Sequence, residues 1–395
     1  MTFKKNLKRA VLYVIIFTGF IQSAVSQEIG ANFNHNPNLI GLNYLKKTGV
    51  EWIRTTPYAF DYISGRKTAA NDPGLGKIID ANKAGYKVAF GLRWDFKKNN
   101  LFIPQPGSAR EKKYFAMVNS ILRRVGGNID IFKLGNEPNL ETKPKDMQVN
   151  QDQYIPLVKF TERLLNVVIL PFYKSKPGLK KPDIYVGSLP ALFEVKEQKT
   201  PGVIGLIRMA QNNKNIKGLS VHLHVTDSLQ MGQALEFARS IMPAKDIIIP
   251  EFSMFKLYKN HMSDYLGDSE AGKRFAVKYG YKPKMKLYEW YSNANTNRIA
   301  AEEWQAMFNT RSWFYPHTLQ TFYHYFQRYH VILATYGLFI PQAPKKMTPE
   351  SPSWFINPIF ACKTLIPEKD GSCAKNPLWY NDFISIVNQG KNKGK

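Results

Sequence analysis

The amino-acid sequence predicts an α/β protein, a (β/α)8 TIM barrel with a loop-rich C-terminal extension. Short, near-continuous apolar runs alternate along the chain with amphipathic segments, a pattern typical of a parallel sheet covered by helices. Seven or eight such units favour a closed barrel over an open sheet. An open doubly wound sheet would normally carry a glycine-rich phosphate turn after its first strand, whereas the first apolar run here is followed by NHNPNL.

Eight apolar runs are predicted to be the strands of this barrel. In chain order they are residues 29–33, 50–57, 86–96, 129–138, 183–190, 219–225, 246–255 and 332–339. The eighth run follows a long segment rich in Tyr, Trp and Lys, which we interpret as an insertion between the last two strands. The closed barrel therefore depends on residues 332–339 pairing with the first strand.

Helices are predicted where apolar residues recur every three or four positions. Residues 108–125, 154–175 and 231–242 show this spacing between predicted strands. Residues 317–330, HTLQTFYHYFQRYH, form an aromatic helix for which core packing is favoured over a platform for sugar rings.

The first 26 residues have the layout of a secretory signal peptide. Four basic residues precede an apolar stretch at 10–21, and Ala24 and Ser26 follow at the spacing of a signal peptidase site. The apolar part is too short for a comfortable membrane span, although an uncleaved anchor is the alternative. We expect cleavage near Ser26 and Gln27, a secreted or periplasmic protein, and no membrane span after cleavage. The predicted division is a signal peptide at 1–26, a catalytic barrel at 27–340 and an extension at 341–395 packed on the barrel.

The formal net charge of +25 favours an anionic partner. Nucleic acid, an anionic membrane surface and an acidic polysaccharide are the candidates, and lysines spread over an ordinary basic surface are the alternative. No recognised nucleic-acid-binding motif occurs in the sequence, so we expect no nucleic-acid partner. Cys362 and Cys373 could form a disulfide in an oxidising compartment or remain free thiols, and two Cys do not suggest a structural zinc site.

Polar and aromatic residues collect where the predicted strands end, which in such barrels is the end that carries the active site. They are Arg54 on the second strand, Arg93, Trp94 and Asp95 on the third, Asn136 and Glu137 on the fourth, His222 and His224 on the sixth, and Glu251 on the seventh. The two histidines alternate to the same face of their strand. Strands four and seven lie across the barrel from each other, so Glu137 and Glu251 can face one another over a substrate.

Two facing carboxyl groups are the equipment of a glycosidase, in which one protonates the leaving oxygen and the other attacks the sugar or activates water. Asn136 could hold a ring hydroxyl beside the scissile bond, and Arg54, Arg93 and Trp94 could contact substrate. Other catalytic schemes find no support, because the sequence contains no G-x-S-x-G elbow and no Walker loop, and both Cys lie in the extension.

An NEP sequence that ends strand four, combined with a glutamate that ends strand seven, resembles the retaining glycoside hydrolases of clan A. The resemblance implies that Glu137 is the acid/base and Glu251 the nucleophile. LGNEPN, residues 134–139, is most similar to the heparanase and β-glucuronidase branch of that clan. Several members carry His-x-Tyr on strand six, whereas this chain has His222-Leu223-His224, so His224 stands where the resemblance implies a tyrosine. The resemblance covers residues 29–339, and no second β-sandwich domain is visible.

Each candidate residue also has a structural alternative. Glu137 could cap the following helix or loop, and Glu251 could form a salt bridge with Arg54, which would also keep a nucleophile ionised. The two histidines could be satisfied polar groups at the barrel mouth, or metal ligands lacking a third donor in evident register. Trp94 could be plain core packing. We expect no metal and no cofactor.

These observations predict an exported glycoside hydrolase that acts on a polysaccharide or oligosaccharide. The charge favours an acidic substrate, uronic or sulfated, and the resemblance implies a retaining mechanism. A non-catalytic glycan-binding protein on a barrel scaffold is the alternative from another class, and a basic adhesion protein is a third. The sugar, the linkage, internal or terminal cleavage and the oligomeric state stay open.

Overall fold

The computed structural model describes residues 27–340 and 346–392, and the predicted signal peptide at 1–26 lies outside the described residues. Within them, eight parallel strands close into a barrel in the order in which they occur in the chain. The strands are β1 (Glu28–Asn32), β2 (Trp52–Thr55), β3 (Lys87–Gly91), β4 (Ile131–Leu134), β5 (Asp183–Leu189), β6 (Gly218–His224), β7 (Asp246–Ser253) and β8 (Val331–Gly337). The predicted TIM barrel and its eight strands are confirmed, and the open-sheet alternative is excluded because β8 pairs with β1.

Helices follow or separate the strands throughout the described ranges. The α-helices are α1 (Leu42–Thr48), α2 (Ala59–Ile63), α3 (Pro73–Lys83), α4 (Ala109–Val125), α5 (Pro138–Glu141), α6 (Pro156–Arg163), α7 (Leu170–Lys174), α8 (Val195–Lys199), α9 (Pro201–Asn212), α10 (Ser228–Ile241), α11 (Phe255–Asn260), α12 (Glu270–Lys278), α13 (Leu287–Asn297), α14 (Ala301–Asn309), α15 (Thr318–Arg328) and α16 (Tyr380–Asn392). Short 3-10 helices lie at Pro37–Leu39, Gly126–Asn128, Pro144–Met147 and Ser353–Ile356, and a π-helix at Leu164–Ile169 joins α6 to α7.

The predicted helices fall within these elements. Residues 108–125 match α4 and its N-cap Ser108, whose hydroxyl accepts a hydrogen bond from the Glu111 amide at 3.3 Å. Residues 154–175 become α6, the π-helix and α7, and residues 231–242 fall almost wholly in α10. The aromatic segment 317–330 forms α15, and its side chains Leu319, Phe322, Tyr323 and Phe326 are buried in the core, as favoured from the sequence. The insertion between β7 and β8 folds into α11 to α15.

The barrel interior is apolar toward the amino ends of the strands and polar toward their carboxyl ends. Six apolar side chains, one from each of six strands, form a cluster separate from the main core: Trp52, Ala89, Ile131, Tyr185, Ile248 and Leu333. Gly30 leaves room for this layer, because a Cβ there would lie 2.7 Å from the Cβ of Trp52. Two positions further along β2 and β4, Arg54 and Lys133 are fully buried, so the interior changes character toward the carboxyl ends of the strands.

The described part of the C-terminal extension, residues 346–392, contacts the barrel and its helices. Helix α16 packs against α15 and β1. A disulfide joins Cys362 to Cys373, so the bonded alternative for these two residues is the one found. The Asn376 side chain donates hydrogen bonds to the carbonyls of Ile356 and Pro358, at 3.0 and 2.9 Å, and thereby fixes the segment before the disulfide.

None of the helices within 27–340 and 346–392 combines the length and apolar character that a membrane crossing requires.

Candidate active site

A cavity of ≈ 340 Å³ opens at the carboxyl ends of the strands, within the usual size range of small-molecule sites. Glu137, His224 and Glu251 line it, together with Arg93 and Ser253. The barrel topology brings these residues together because every strand is parallel and ends at the same rim.

Glu137 is presented to the cavity by an unusual stretch of backbone. It follows Gly135, which has φ +122°, and itself adopts a left-handed conformation with φ +38° directly before Pro138. A proline disfavours the right-handed helical region for the residue before it. A non-glycine residue in the left-handed region costs about 1–2 kcal/mol, and strain of this kind is concentrated at functional sites.

Two histidines from β6 connect the glutamates. His222 Nδ1 lies 3.2 Å from Glu137 Oε1, and His222 Nε2 lies 3.9 Å from Glu251 Oε1, beyond hydrogen-bond reach. His224 Nε2 lies 3.8 Å from Glu137 Oε1 and 3.4 Å from Glu251 Oε2. The Ser253 hydroxyl, 2.9 Å from His224 Nδ1, holds the second ring so that Nε2 points between the glutamates.

Arg54 anchors Glu251 from beneath. Its guanidinium forms a buried ion pair with Glu251 and also donates to Asn32 Oδ1 at 3.0 Å and Asn136 Oδ1 at 2.6 Å. Burial alone would raise the pKa of Glu251, but the charge of Arg54 together with the contacts of His222 and His224 outweighs burial, and the pKa lies well below its usual range. The salt bridge that the sequence allowed as an alternative is present, and it keeps Glu251 ionised.

Glu137 has a different environment, without a permanent cation bonded to it among the described residues. Burial raises the pKa of Glu137, but the hydrogen bond from His222 and the electrostatic effects of His222 and His224 together outweigh burial, so that the net pKa lies below its ordinary value. Burial lowers the pKa of His222 to about 4, which leaves this ring neutral at neutral pH. A neutral ring that carries its proton on Nδ1 donates to Glu137 and leaves Nε2 without a partner.

Asn136 and Arg93 hold a second layer of polar contacts. Asn136 is 2% exposed, and while its Oδ1 accepts from Arg54, its Nδ2 donates to Glu141 Oε1 at 2.8 Å. Arg93 lines the cavity and pairs with Glu141 at 2.8 Å and Asp95 at 3.6 Å. Burial raises the pKa of Glu141 well above its ordinary value despite the charge of Arg93. Asn136 is thus engaged on both sides by protein groups.

The structure does not bring every predicted contact residue to the cavity. Trp94 is 6% exposed, stacks on Phe96 at 5.9 Å between ring centroids and meets Phe160 edge-on at 5.1 Å. Trp94 is therefore packed in the core, which is the structural alternative that the sequence allowed. Arg54 and Asn136 lie behind Glu251 and Glu137 instead of lining the cavity, so they position other groups.

Several cavity residues were missed from the sequence. Asn34 and His35 lie just after β1, in the NHNPNL stretch, where polar residues near a strand end were the available signal. Trp354 and Asn357 come from the extension. No local pattern points to those two, because only the docking of a distant segment on the rim makes them cavity residues.

The site also contains a possible set of metal ligands. Glu137, His222 and His224 each offer one ligand atom, and these atoms all lie within 4.8 Å of one another. The third donor that was not evident in the sequence is therefore Glu137. Two imidazoles and a carboxylate are a set that zinc accepts.

Comparisons with protein-family models and with curated proteins give no match for this sequence. Among solved structures, the chain is similar to the Ignisphaera aggregans GH53 catalytic domain, with 15% identity, TM-score 0.49, and 93% of this chain and 98% of that chain covered. It is similar to a psychrophilic glycoside hydrolase family 10 endo-beta-1,4-xylanase, with 12% identity, TM-score 0.45 and coverage of 91% and 96%. It is also similar to XacCel5A in complex with cellopentaose, with 11% identity, TM-score 0.46 and coverage of 93% and 99%. The fold assignment itself rests on the closed ring of strand pairs.

Proposed function

We propose that this protein is an exported glycoside hydrolase that cleaves O-glycosidic bonds of a polysaccharide or oligosaccharide by retaining double displacement. One observation carries the proposal: Glu137 and Glu251, from β4 and β7, line one cavity but have unlike surroundings. Glu251 is ion-paired with Arg54, whereas Glu137 is hydrogen-bonded to His222. Carboxyl groups whose surroundings separate their roles are what acid and nucleophile require.

The reaction follows in two balanced steps. Glu251 attacks the anomeric carbon as the bond to the leaving oxygen breaks, and Glu137 gives that oxygen its proton. In the second step Glu137 takes a proton from water, the water oxygen bonds to the anomeric carbon, and Glu251 leaves as a carboxylate. Arg54 holds the attacking carboxylate in its ionised form and in position.

The contacts of His224 are compatible with retention but do not select it. Because His224 Nε2 lies 3.8 Å from Glu137 Oε1 and 3.4 Å from Glu251 Oε2, these two oxygens cannot be further apart than the two distances combined. That upper limit admits the separation of about 5–5.5 Å used by retaining enzymes and also the shortest separations used by inverting ones, about 6.5 Å, so the retaining mechanism is proposed from the resemblance to clan A. The membership of the heparanase and β-glucuronidase branch stays a prediction from LGNEPN alone.

The acidic substrate and the export are proposals from the whole chain. The full chain has a net charge of +25, and removal of the four basic residues of the predicted signal peptide leaves +21 on the mature chain, which favours a uronic or sulfated polymer because such a charge attracts polyanions. The predicted signal peptide and the Cys362–Cys373 disulfide are what a protein of an oxidising compartment would carry. Release of a mature chain that begins near Gln27, checked by N-terminal sequencing of the exported protein, is the expected outcome.

The deciding experiment is a depolymerisation screen of the chain lacking residues 1–26. It compares the wild type with the double variant Glu137→Gln, Glu251→Gln on a neutral β-glucan, a xylan, polygalacturonic acid and heparan sulfate, with new reducing ends as the readout. Cleavage by the wild type alone is expected. The first-released sugar, observed by NMR, should have the same anomeric configuration as the bond that was cleaved. Equal glycan binding by both proteins with no cleavage by either would contradict the proposal and favour the glycan-binding alternative.

Single variants separate the two roles. With an aryl glycoside of the sugar found in the screen, whose leaving group needs no proton, Glu137→Ala should retain far more of the first step than on the natural polymer. Glu251→Ala should lose activity on both the aryl glycoside and the polymer, because a better leaving group does not compensate for a missing nucleophile. General acid–base help is worth about 10²–10⁴-fold, which is the expected loss of Glu137→Ala on the polymer. Equal losses on both substrates would remove the acid role from Glu137.

A metal-dependent hydrolase is the second candidate, and the donor set of Glu137, His222 and His224 is the observation that favours it. EDTA distinguishes the two, because a glycosidase that uses two carboxylates keeps its full rate after chelation. A metal-dependent enzyme would lose its activity with EDTA and regain it with Zn²⁺.

A further inference from the structure

The cavity contains polar atoms that the proposed chemistry does not use. Asn357 is 7% exposed and lines the cavity, yet neither its Nδ2 nor its Oδ1 has a hydrogen-bond partner within the described residues. Oδ1 of Asn34 and Nδ1 of His35, which belong to two further lining residues, are also buried without a partner in the described part of the chain. Buried polar atoms in native proteins nearly always bond to protein or to water, so the unpaired atoms that line this cavity are available to water or to a bound ligand.

An aromatic side chain lies beside these atoms. Trp354 lines the same cavity, and one of its ring faces is stacked on Phe255 at 3.6 Å between centroids. The same ring meets His224 edge-on at 5.0 Å, which places it next to the paired glutamates. A partly exposed indole beside unpaired amide groups suits a sugar ring, which has apolar C–H faces and an equatorial rim of hydroxyls.

The segment that carries Trp354 and Asn357 is rigidly docked. The Ser353 hydroxyl donates to the carbonyl of Phe255 at 2.6 Å, and Trp379 Nε1 donates to the carbonyl of Ile356 at 2.8 Å. Further on, the Ile359 amide donates to the carbonyl of Gly337 at 3.2 Å, at the end of β8. The segment is therefore held to α11 and to the end of β8, and is braced within the extension by Trp379, before any ligand arrives, as a preorganised site requires.

We propose that the residues at 353–358 of the extension build a sugar subsite with Asn34 and His35, directly beside Glu137 and Glu251. Asn357 binds a pair of neighbouring hydroxyls, donating through Nδ2 and accepting through Oδ1, and Trp354 covers one face of the ring. This inference rests on the proposed function and names the chemistry that the site recognises. Among the described residues that line the cavity, Arg93 is the one Arg or Lys, and it is already paired with Glu141. The ring held here is consequently recognised through hydroxyls, and acidic groups of the polymer belong to flanking units.

The test uses Asn357→Ala, with Asn381→Ala as the matched control, because Asn381 is an exposed asparagine on α16. On the polymer cleaved in the screen, Asn357→Ala should raise KM about tenfold, the loss expected when two neutral hydrogen bonds are removed. Its Tm should be unchanged or higher, since an unpaired buried amide has been removed, and Asn381→Ala should match the wild type. Trp354→Ala should also raise KM, and Trp354→Phe should restore most of it because the ring face is kept.

The outcomes separate this inference from the proposed function. If Asn357→Ala hydrolyses the polymer with an unchanged KM, the subsite proposal is overturned and the proposed hydrolase function stands. That result would mean that the side-chain amide of Asn357 binds only water. If no glycan is cleaved, binding of the same four polymers is measured by calorimetry. Binding that Asn357→Ala loses and Asn381→Ala keeps upholds the subsite without catalysis, and the absence of any binding overturns it.

Discussion

His222 controls the proton on Glu137, so its replacement should move the pH dependence of the reaction. The proposed mechanism needs a protonated Glu137, and kcat/KM therefore falls as the pH rises through the pKa of that group. Burial raises this pKa, but the hydrogen bond from His222 and the other effects of His222 and His224 together hold it below its ordinary value, which predicts an acidic optimum for the wild type. In His222→Phe burial remains and the hydrogen bond is lost, so the pKa of Glu137 rises and the alkaline limb should shift to higher pH. The optimum rate should drop about tenfold or more, because misplacing an acid by an ångström can cost about 10²-fold.

The matched control is His324→Phe, an exposed histidine on α15 outside the cavity, which should reproduce the wild-type profile. An alkaline limb that stays in place in His222→Phe would mean that His222 has only a structural role. A limb that moves to lower pH would contradict the assignment of Glu137 as the proton donor.

Single residues differ in how far the sequence predicts their place. Glu137, Glu251, His222 and His224 were predicted together because a parallel barrel brings the ends of its strands to one rim. The left-handed backbone of Glu137 was not predictable, since Asn-Glu-Pro permits it without requiring it. Asn136 was assigned to a substrate hydroxyl, and the structure shows it between Arg54 and Glu141, a bridge that depends on how the ends of β2 and β4 and the helix α5 meet.

At the scale of elements, the extension is predicted to matter for binding as well as for stability. The Asn376 side chain donates to the carbonyls of Ile356 and Pro358 beneath the segment that carries Trp354 and Asn357. In Asn376→Ala the Ile356 carbonyl keeps its bond from Trp379, whereas the Pro358 carbonyl loses its side-chain donor. The free energy of unfolding in urea should fall by about 1–3 kcal/mol, the cost of a buried group left unsatisfied.

The same variant should raise KM about fivefold, because looser docking adds the cost of ordering the segment when the sugar binds. Asn381→Ala should change the free energy of unfolding by less than about 0.5 kcal/mol, as exposed substitutions usually do. A loss of stability in Asn376→Ala without any change in KM would show that the subsite does not depend on this anchor.

The elements themselves were predictable where one pattern governed a whole segment. The strands are near-continuous apolar runs because both of their faces are buried, and all eight were found. The insertion between β7 and β8 mixes Lys with Tyr and Trp, and apart from α15 its helices were not predicted. The π-helix at Leu164–Ile169 lies inside a segment with ordinary helical spacing. The periodicity therefore predicts a helix but not the wider i→i+5 hydrogen-bond pattern of its π-helical part.

At the scale of the whole molecule, charge and site chemistry act at different distances. The chain has 55 Lys and Arg against 30 Asp and Glu, whereas the cavity is lined by one arginine among its described residues. The excess positive charge therefore acts through the field of the outer surface. It attracts the polymer as it approaches and acts on the sugar units that lie outside the cavity. A field of this kind is screened by salt, and contacts inside the cavity are much less affected.

This division predicts how salt changes binding. Between 10 and 300 mM NaCl, the KM for a uronic or sulfated polymer should rise severalfold, because the screening length falls from about 30 Å to below about 8 Å. The KM for a neutral oligosaccharide that fills the cavity alone should stay constant over the same range, and kcat should stay constant for both, because the reacting groups lie in the buried site. An anionic substrate whose KM ignores salt would contradict the attraction of polyanions and would reduce the charge of +25 to a property of the surface. A neutral substrate whose KM rises with salt would instead show that salt perturbs the cavity, and the Arg54–Glu251 pair would be the first place to examine.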